Sequence, residues 1–424
     1  MATFAPALPA FAPSIPERLD DVGVPQALIL DLMLRRLMVE GYSSLNSLSQ
    51  RLKLSISVLD AVFKHMRAQQ MIEVRGMIGN DYSFSLSGAG RALASERFHI
   101  SQYSGACPVS LDDYTAAVKA QSAQLVIDRA RMREAYSDLV IPDEVLDQIG
   151  PALISQKSVF LYGPSGNGKT SIAERMLRVY DDSVLIPYAV EVDGQVISLY
   201  DPVVHQRLDT PLPDVDPRWV PCRRPCIAVG GELIPSMVEL RLDDTSGIYA
   251  APLQMKANNG IFIIDDFGRQ LMAPRDLLNR WIVPLDRKVD YLTLRYGVKF
   301  QIPFELMVVF STNLDPRDLA DDAFLRRIQN KIFITSVKED VFDMIFARVA
   351  RKRGMRFTEE CPSYLRELVL RDDRTELRAC YPNDICEIIQ SISSYEGIAP
   401  AIDAPALERA TDLYFGKTEV FEER

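Results

Sequence analysis

The residues Gly163-Pro164-Ser165-Gly166-Asn167-Gly168-Lys169-Thr170 constrain this chain more than any other stretch. They follow directly on the apolar run Val159-Phe160-Leu161-Tyr162, which reads as a strand buried on both faces, and lead into 171–179, which reads as a helix. A G-x-x-x-x-G-K-T pattern between strand and helix is a phosphate-binding loop in the setting it requires. The glycines let backbone N–H groups turn inward around phosphate oxygens, and the helix start adds its positive end. Lys169 is expected to reach the β- and γ-phosphates, and the Thr170 hydroxyl to hold Mg²⁺. Gly163, Pro164, Ser165, Gly166, Asn167, Gly168, Lys169, Thr170 and Ser171 are the candidate nucleotide-binding residues. A glycine-rich turn without a ligand is the alternative, and it leaves the flanking strand and helix unexplained.

Two further strands point to the same site. Ile261-Phe262-Ile263-Ile264 is β-branched or aromatic throughout and ends in Asp265-Asp266. Acidic residues at the carboxyl end of a parallel strand lie in the crevice where ligands bind. Asp265 is placed to hold Mg²⁺ through its water shell, and Asp266 to orient the attacking water. The apolar stretch 306–310 leads into Ser311-Thr312-Asn313, where the Asn313 amide is placed to contact the γ-phosphate or the water. Asp322-Ala323-Phe324-Leu325-Arg326-Arg327-Ile328 then precedes a short strand-like segment.

Together these pieces resemble the AAA+ ATPase superfamily over roughly residues 125–400. The resemblance implies that Asp265 and Asp266 are the Walker B pair and Asn313 is sensor 1. It implies that the Arg pair carries the arginine finger, with Arg327 the better candidate and Arg326 the next. That finger completes a neighbouring subunit's site, so the resemblance also implies a homo-oligomeric ring, usually hexameric. ATP and Mg²⁺ are the implied ligands. Two features depart from the family pattern. Asp266 stands where the family usually has Glu, one methylene longer, which leaves open a nucleotide switch that hydrolyses slowly. At Tyr381-Pro382-Asn383, Asn383 occupies the place where relatives often carry the second-sensor Arg, with Arg374 and Arg378 upstream. Segments 290–294 and 299–304 read as a β-hairpin ahead of the 306–310 strand. Such a hairpin resembles the pre-sensor-1 hairpin branch, which includes MoxR-type chaperones.

The expected fold class is α/β: a P-loop parallel sheet with a helical lid, preceded by a winged helix-turn-helix domain. Residues 1–25 hold five prolines among many alanines and are expected to be a mobile or extended tail. Residues 26–100 show helical apolar spacing three times and then two strand-like runs, 71–75 and 82–86, the order of a winged helix. Residues 101–124 are expected to be a linker, 125–338 the ATPase domain and 339–424 the lid. The stretch 202–221 is proline-rich and reads as a surface excursion.

Composition narrows the partners. Hydrophobic residues make up 47% and charged ones 25%, with a net charge of −10, so the chain is globular and does not coat nucleic acid along its length. The third helix of the first domain offers Lys64, His65, Arg67 and Gln69 to a groove but also Asp60, a weak footprint for DNA. A protein client and DNA bound through the winged helix both stay open. Apolar runs are too short to span a bilayer, so no membrane insertion is expected. Six sparse cysteines and the lack of a basic-then-apolar leader point to the cytoplasm.

Overall fold

The computed structural model describes residues 11–78, 81–122, 126–319, 322–371 and 375–416. Residues 1–10 of the proline-rich segment, Gly79 between the strand-like runs 71–75 and 82–86, and Arg374 lie outside the described residues. The fold is α/β. Its central feature is a five-stranded parallel sheet in the order Cys226–Val229, Ile261–Ile264, Met307–Thr312, Val159–Tyr162, Asn330–Phe333. The chain divides into two compact units, one of residues 1–124, 180–263 and 270–308, the other of 125–179, 264–269 and 309–424.

The first unit begins with helices Gln26–Glu40, Leu45–Leu52 and Ile56–Ala68, followed by strands Ile72–Ile78 and Asp81–Leu86. With Ser43–Ser44 these strands form a three-stranded antiparallel sheet. Serines set the helix starts: Ser44, Ser55 and Ser87 each accept a backbone N–H three residues on, satisfying a donor that the helix itself leaves free. Leu32, Leu48, Leu59, Met66 and Phe84 are fully buried and make the core. The segment 11–18 belongs to no helix or strand, and it is tied down. Asp216 N–H donates to the Pro13 carbonyl at 2.9 Å and Ser55 Oγ to that of Pro16 at 2.7 Å.

Within the stretch expected to be a linker, residues 109–120 form a strand and a helix. Val109–Ser110 pairs in parallel with Ala189–Val192, and Leu111–Ala120 is a helix that buries Tyr114. The sheet built on that pairing runs Arg241–Asp243, Ile248–Ala250, Gln195–Ser198, Ala189–Val192, Val109–Ser110. Arg218 and Asp216 form a buried ion pair at 2.7 Å, and Arg218 also donates to the carbonyls of Val22 and Pro108. Breaking such a pair from one side costs about 3–5 kcal/mol, because the remaining charge is stranded. The 202–218 excursion is anchored by His205, whose ring bonds to Asp201 N–H and to the Lys256 carbonyl.

Strands Val289–Thr293 and Lys299–Pro303 form the expected antiparallel hairpin. Its tip is fastened. Tyr296 Oη donates to Asp193 Oδ2 at 2.9 Å, Arg295 pairs with Asp244, and Arg295 N–H donates to Tyr249 Oη at 3.0 Å.

In the second unit, helix Asp143–Ser155 precedes strand Val159–Tyr162, and helix Lys169–Arg175 follows the loop. Its carboxyl-terminal part is helical: Glu339–Lys352, Cys361–Val369, Tyr381–Glu396 and Ala404–Phe415 pack around Phe342, Phe346, Leu365, Ile385 and Leu407, all fully buried. Among the described residues, no helix is long and apolar enough to cross a membrane.

Candidate nucleotide site

Strand register lines up the site. Thr312 lies opposite Tyr162 on one side, and Phe333 opposite Tyr162 on the other. Gly163 and Asn313 therefore leave the sheet at the same level. The loop from Gly163 curls because three of its glycines take positive φ: 136° at Gly163, 81° at Gly166 and 78° at Gly168. Side chains are also excluded by space. A Cβ on Gly163 would lie 2.2 Å from the Ile334 carbonyl oxygen, and one on Gly166 2.7 Å from Cys380 Sγ.

Lys169 is buried, and its Nζ donates to the carbonyls of Gly163 at 2.9 Å and Pro164 at 3.0 Å. Burial lowers its pKa, while the nearby Asp265 and Asp266 carboxylates act to raise it. The loop thus holds a partly desolvated cation over its own carbonyls, where an anionic ligand gains most from it. Thr170 Oγ1 donates to Asp265 Oδ2 at 2.6 Å, and Asp265 Oδ1 accepts from Asp266 N–H at 3.0 Å. One hydroxyl and one carboxylate in contact suit Mg²⁺, a hard cation that takes few protein oxygens and fills its shell with water and phosphate.

Asp266 is exposed and adopts φ 47°, an uncommon state for a side-chain-bearing residue. The turn is held from beyond: Phe267 N–H donates to the Ser311 carbonyl and Thr312 Oγ1 to the Phe267 carbonyl, both at 2.7 Å. Asn313, next along, keeps a buried Oδ1 that has no hydrogen-bond partner among the described residues. Buried polar atoms are normally paired, so this oxygen marks a place where a ligand group or water belongs.

The two adjacent arginines differ in exposure. Arg326 is exposed and Arg327 is half-buried. Lys331 Nζ holds the turn around them, donating to the carbonyls of Leu325 and Ile328 at 2.6 and 2.7 Å.

The segment just ahead of Tyr381 also reaches the loop. Cys380 N–H donates to the Gly166 carbonyl at 2.9 Å, and Ala379 N–H to Asn167 Oδ1 at 3.2 Å. Arg378 Cδ is 3.4 Å from the point where a Gly166 Cβ would stand; its guanidinium lies over the Tyr381 ring, 5.9 Å from the centroid, and its buried Nε has no hydrogen-bond partner among the described residues. Asn383 is turned to other work, accepting from Arg353 at 3.0 Å in an exposed setting. Among the described residues, Arg378 is thus the upstream arginine set beside the loop. A signal existed, an Arg three residues before the Tyr381-Pro382 helix start, but nothing in the sequence ranked it above Asn383.

A family model for a domain of unknown function (DUF8689) matches residues 338–413, the helical carboxyl-terminal part. A search of curated proteins gives no match. Similar solved structures include a mutant of Thermotoga maritima RuvB, 11% identical over 68% of this chain and 71% of that one, with a TM-score of 0.36. They also include NtrX from Brucella abortus in complex with ATP, 13% identical over 72% of this chain and 61% of that one, TM-score 0.40. The same NtrX in complex with ADP is 12% identical over 75% and 64%, TM-score 0.40.

Proposed function

We propose that this chain is an ATP-binding and ATP-hydrolysing protein of the AAA+ type, working as an oligomeric remodelling motor with its first domain as a winged-helix adaptor. The observation that carries the reading is the contact of Thr170 with Asp265 beneath a loop that already encloses Lys169. The loop N–H groups and Lys169 bind the phosphates. Thr170 and Asp265 hold Mg²⁺, which when bound neutralises charge on the β- and γ-phosphates. Asp266 accepts a proton from, and orients, the attacking water, and Asn313 contacts that water or the γ-phosphate. Arg378 adds a cation on the lid side of the loop. In a ring, Arg326 or Arg327 reaches the neighbour's ATP, and the greater exposure of Arg326 supports testing it equally with Arg327.

A protein client is favoured over DNA by the character of the first domain's outer face. Met77 and Tyr82, paired across the two long strands, are 62% and 45% exposed. Two of the cations nearby are engaged: Arg75 donates to Ser85 Oγ and Lys64 pairs with Asp60 at 2.6 Å, while Arg67 is exposed. A surface built to grip phosphates would hold its cations free. The second reading is an ATP-dependent DNA-acting protein. ATP turnover measured alone, with duplex DNA and with an unfolded protein separates them. Turnover abolished by Lys169→Ala and raised by unfolded protein is expected. Stimulation by DNA with a steep salt dependence would transfer the function to the second reading, and turnover that survives Lys169→Ala would remove the loop as the site.

A further inference from the structure

Helix Tyr381–Glu396 has no side-chain cap of its own. The first donors of a helix must find partners somewhere. Here the two amides just ahead of it, Ala379 and Cys380, donate to Asn167 Oδ1 and the Gly166 carbonyl. The phosphate loop therefore accepts from the two amides that lead into this helix, while the first helical donor, Tyr381 N–H, goes to the Arg378 carbonyl at 3.3 Å. Asn167 is suited to the task. It is 5% exposed, its Nδ2 donates back to the Pro164 carbonyl at 3.4 Å, and its Oδ1 faces the helix. One amide group is thus shared between the loop that encloses phosphate and the helix that follows Arg378. Gly166 adds a steric coupling, because Cys380 Sγ occupies the space beside its Cα.

We propose that Asn167 is a positioning residue that seats the Tyr381–Glu396 helix on the phosphate loop, so that nucleotide held in the loop is felt at that helix start. This inference rests on the nucleotide-site reading above. Phosphates draw the loop N–H groups inward and reduce its freedom. A stiffer loop presents Asn167 Oδ1 and the Gly166 carbonyl more constantly to Ala379 and Cys380, and the opening of those two bonds becomes rarer. In the unliganded protein the same two bonds open with the loop.

Residue-resolved hydrogen exchange on the full chain tests this, with and without Mg²⁺–ADP and a non-hydrolysable ATP analogue, each at a concentration shown to saturate by titration. Exchange at Ala379 and Cys380 is expected to slow by about tenfold or more on binding, while the Cys361–Val369 helix changes little. In Asn167→Ala, Ala379 should exchange fast in both states. Asn167→Asp, which keeps the acceptor oxygen, should return exchange at Ala379 to the parental rate in both states. Should Asn167→Ala fold poorly, the parent with and without nucleotide and Asn167→Asp still decide the matter. Saturable binding with unchanged exchange at Ala379 and Cys380 overturns the inference and leaves the nucleotide site standing. No saturable binding at all removes the site reading and the inference with it.

Discussion

Asp266 occupies a left-handed backbone position that Phe267 and Ser311 impose by their hydrogen bond. Its carboxylate is exposed, and its backbone N–H is already engaged by Asp265. Asp266→Ala should therefore leave nucleotide affinity near the parental value and lower turnover by about 10²–10⁴-fold, the range for a positioned general base. Nucleotide titration alongside phosphate release checks it, and parental turnover in that variant would take the role away from Asp266. At this scale the sequence was most legible where partners are close along the chain or fixed by strand ends. The glycine spacing, Lys169, Thr170 and the Asp265–Asp266 pair could all be read so. Arg378 and Ala379 could not be ranked, because their contact with the loop joins residues 212 positions apart and depends on how the helical part packs.

Single elements divide in the same way. Helices with a serine at the start and an apolar face, such as Ile56–Ala68, are written locally. The Val109–Ser110 strand was hidden, since two residues carry no period and their partner is Ala189–Val192. The 202–218 excursion offers a measurable property of its own. His205 is 2% exposed, accepts from Asp201 N–H through Nδ1, and faces the Lys256 carbonyl through Nε2, which fixes the neutral ring as Nε2–H. Burial lowers its pKa below 6.5, outweighing the Lys256 carbonyl and the Asp201 carboxylate, which raise it. The unfolded chain then takes up a proton first as pH falls. The stabilisation from His205 is present above pH 6.5 and declines below it, by at most about 1.4 kcal/mol per pH unit for one proton. Denaturant midpoints at about pH 7.5 and 5.5 should show the loss, and His205→Gln should shrink it. An equal pH dependence in the variant would assign the effect to other groups.

At the scale of the whole molecule, the proposed completion of the site by a neighbour's arginine predicts activity only in an assembly. Turnover per chain should rise with protein concentration. Arg326→Ala and Arg327→Ala proteins should each bind ATP, and the one that carries the finger should hydrolyse it poorly. Mixed with Lys169→Ala after subunit exchange has been shown by tagged pull-down, that variant should regain part of its activity. Some interfaces then join an intact loop to an intact arginine. A mixture no better than its components would exclude a finger in trans, and full activity in a monomer would exclude the ring. The proposed assembly rests on the resemblance alone, because one chain's apolar pattern reports its own core and not its neighbours. The fastened hairpin carries a consequence of another kind. Its tip is moored to Asp193, Asp244 and Tyr249 as well as to its own paired strands. It is a braced spar and not a free cantilever, so a load hung on Tyr296 would be spread into the strands around Asp193 and Tyr249 before it could bend the hairpin.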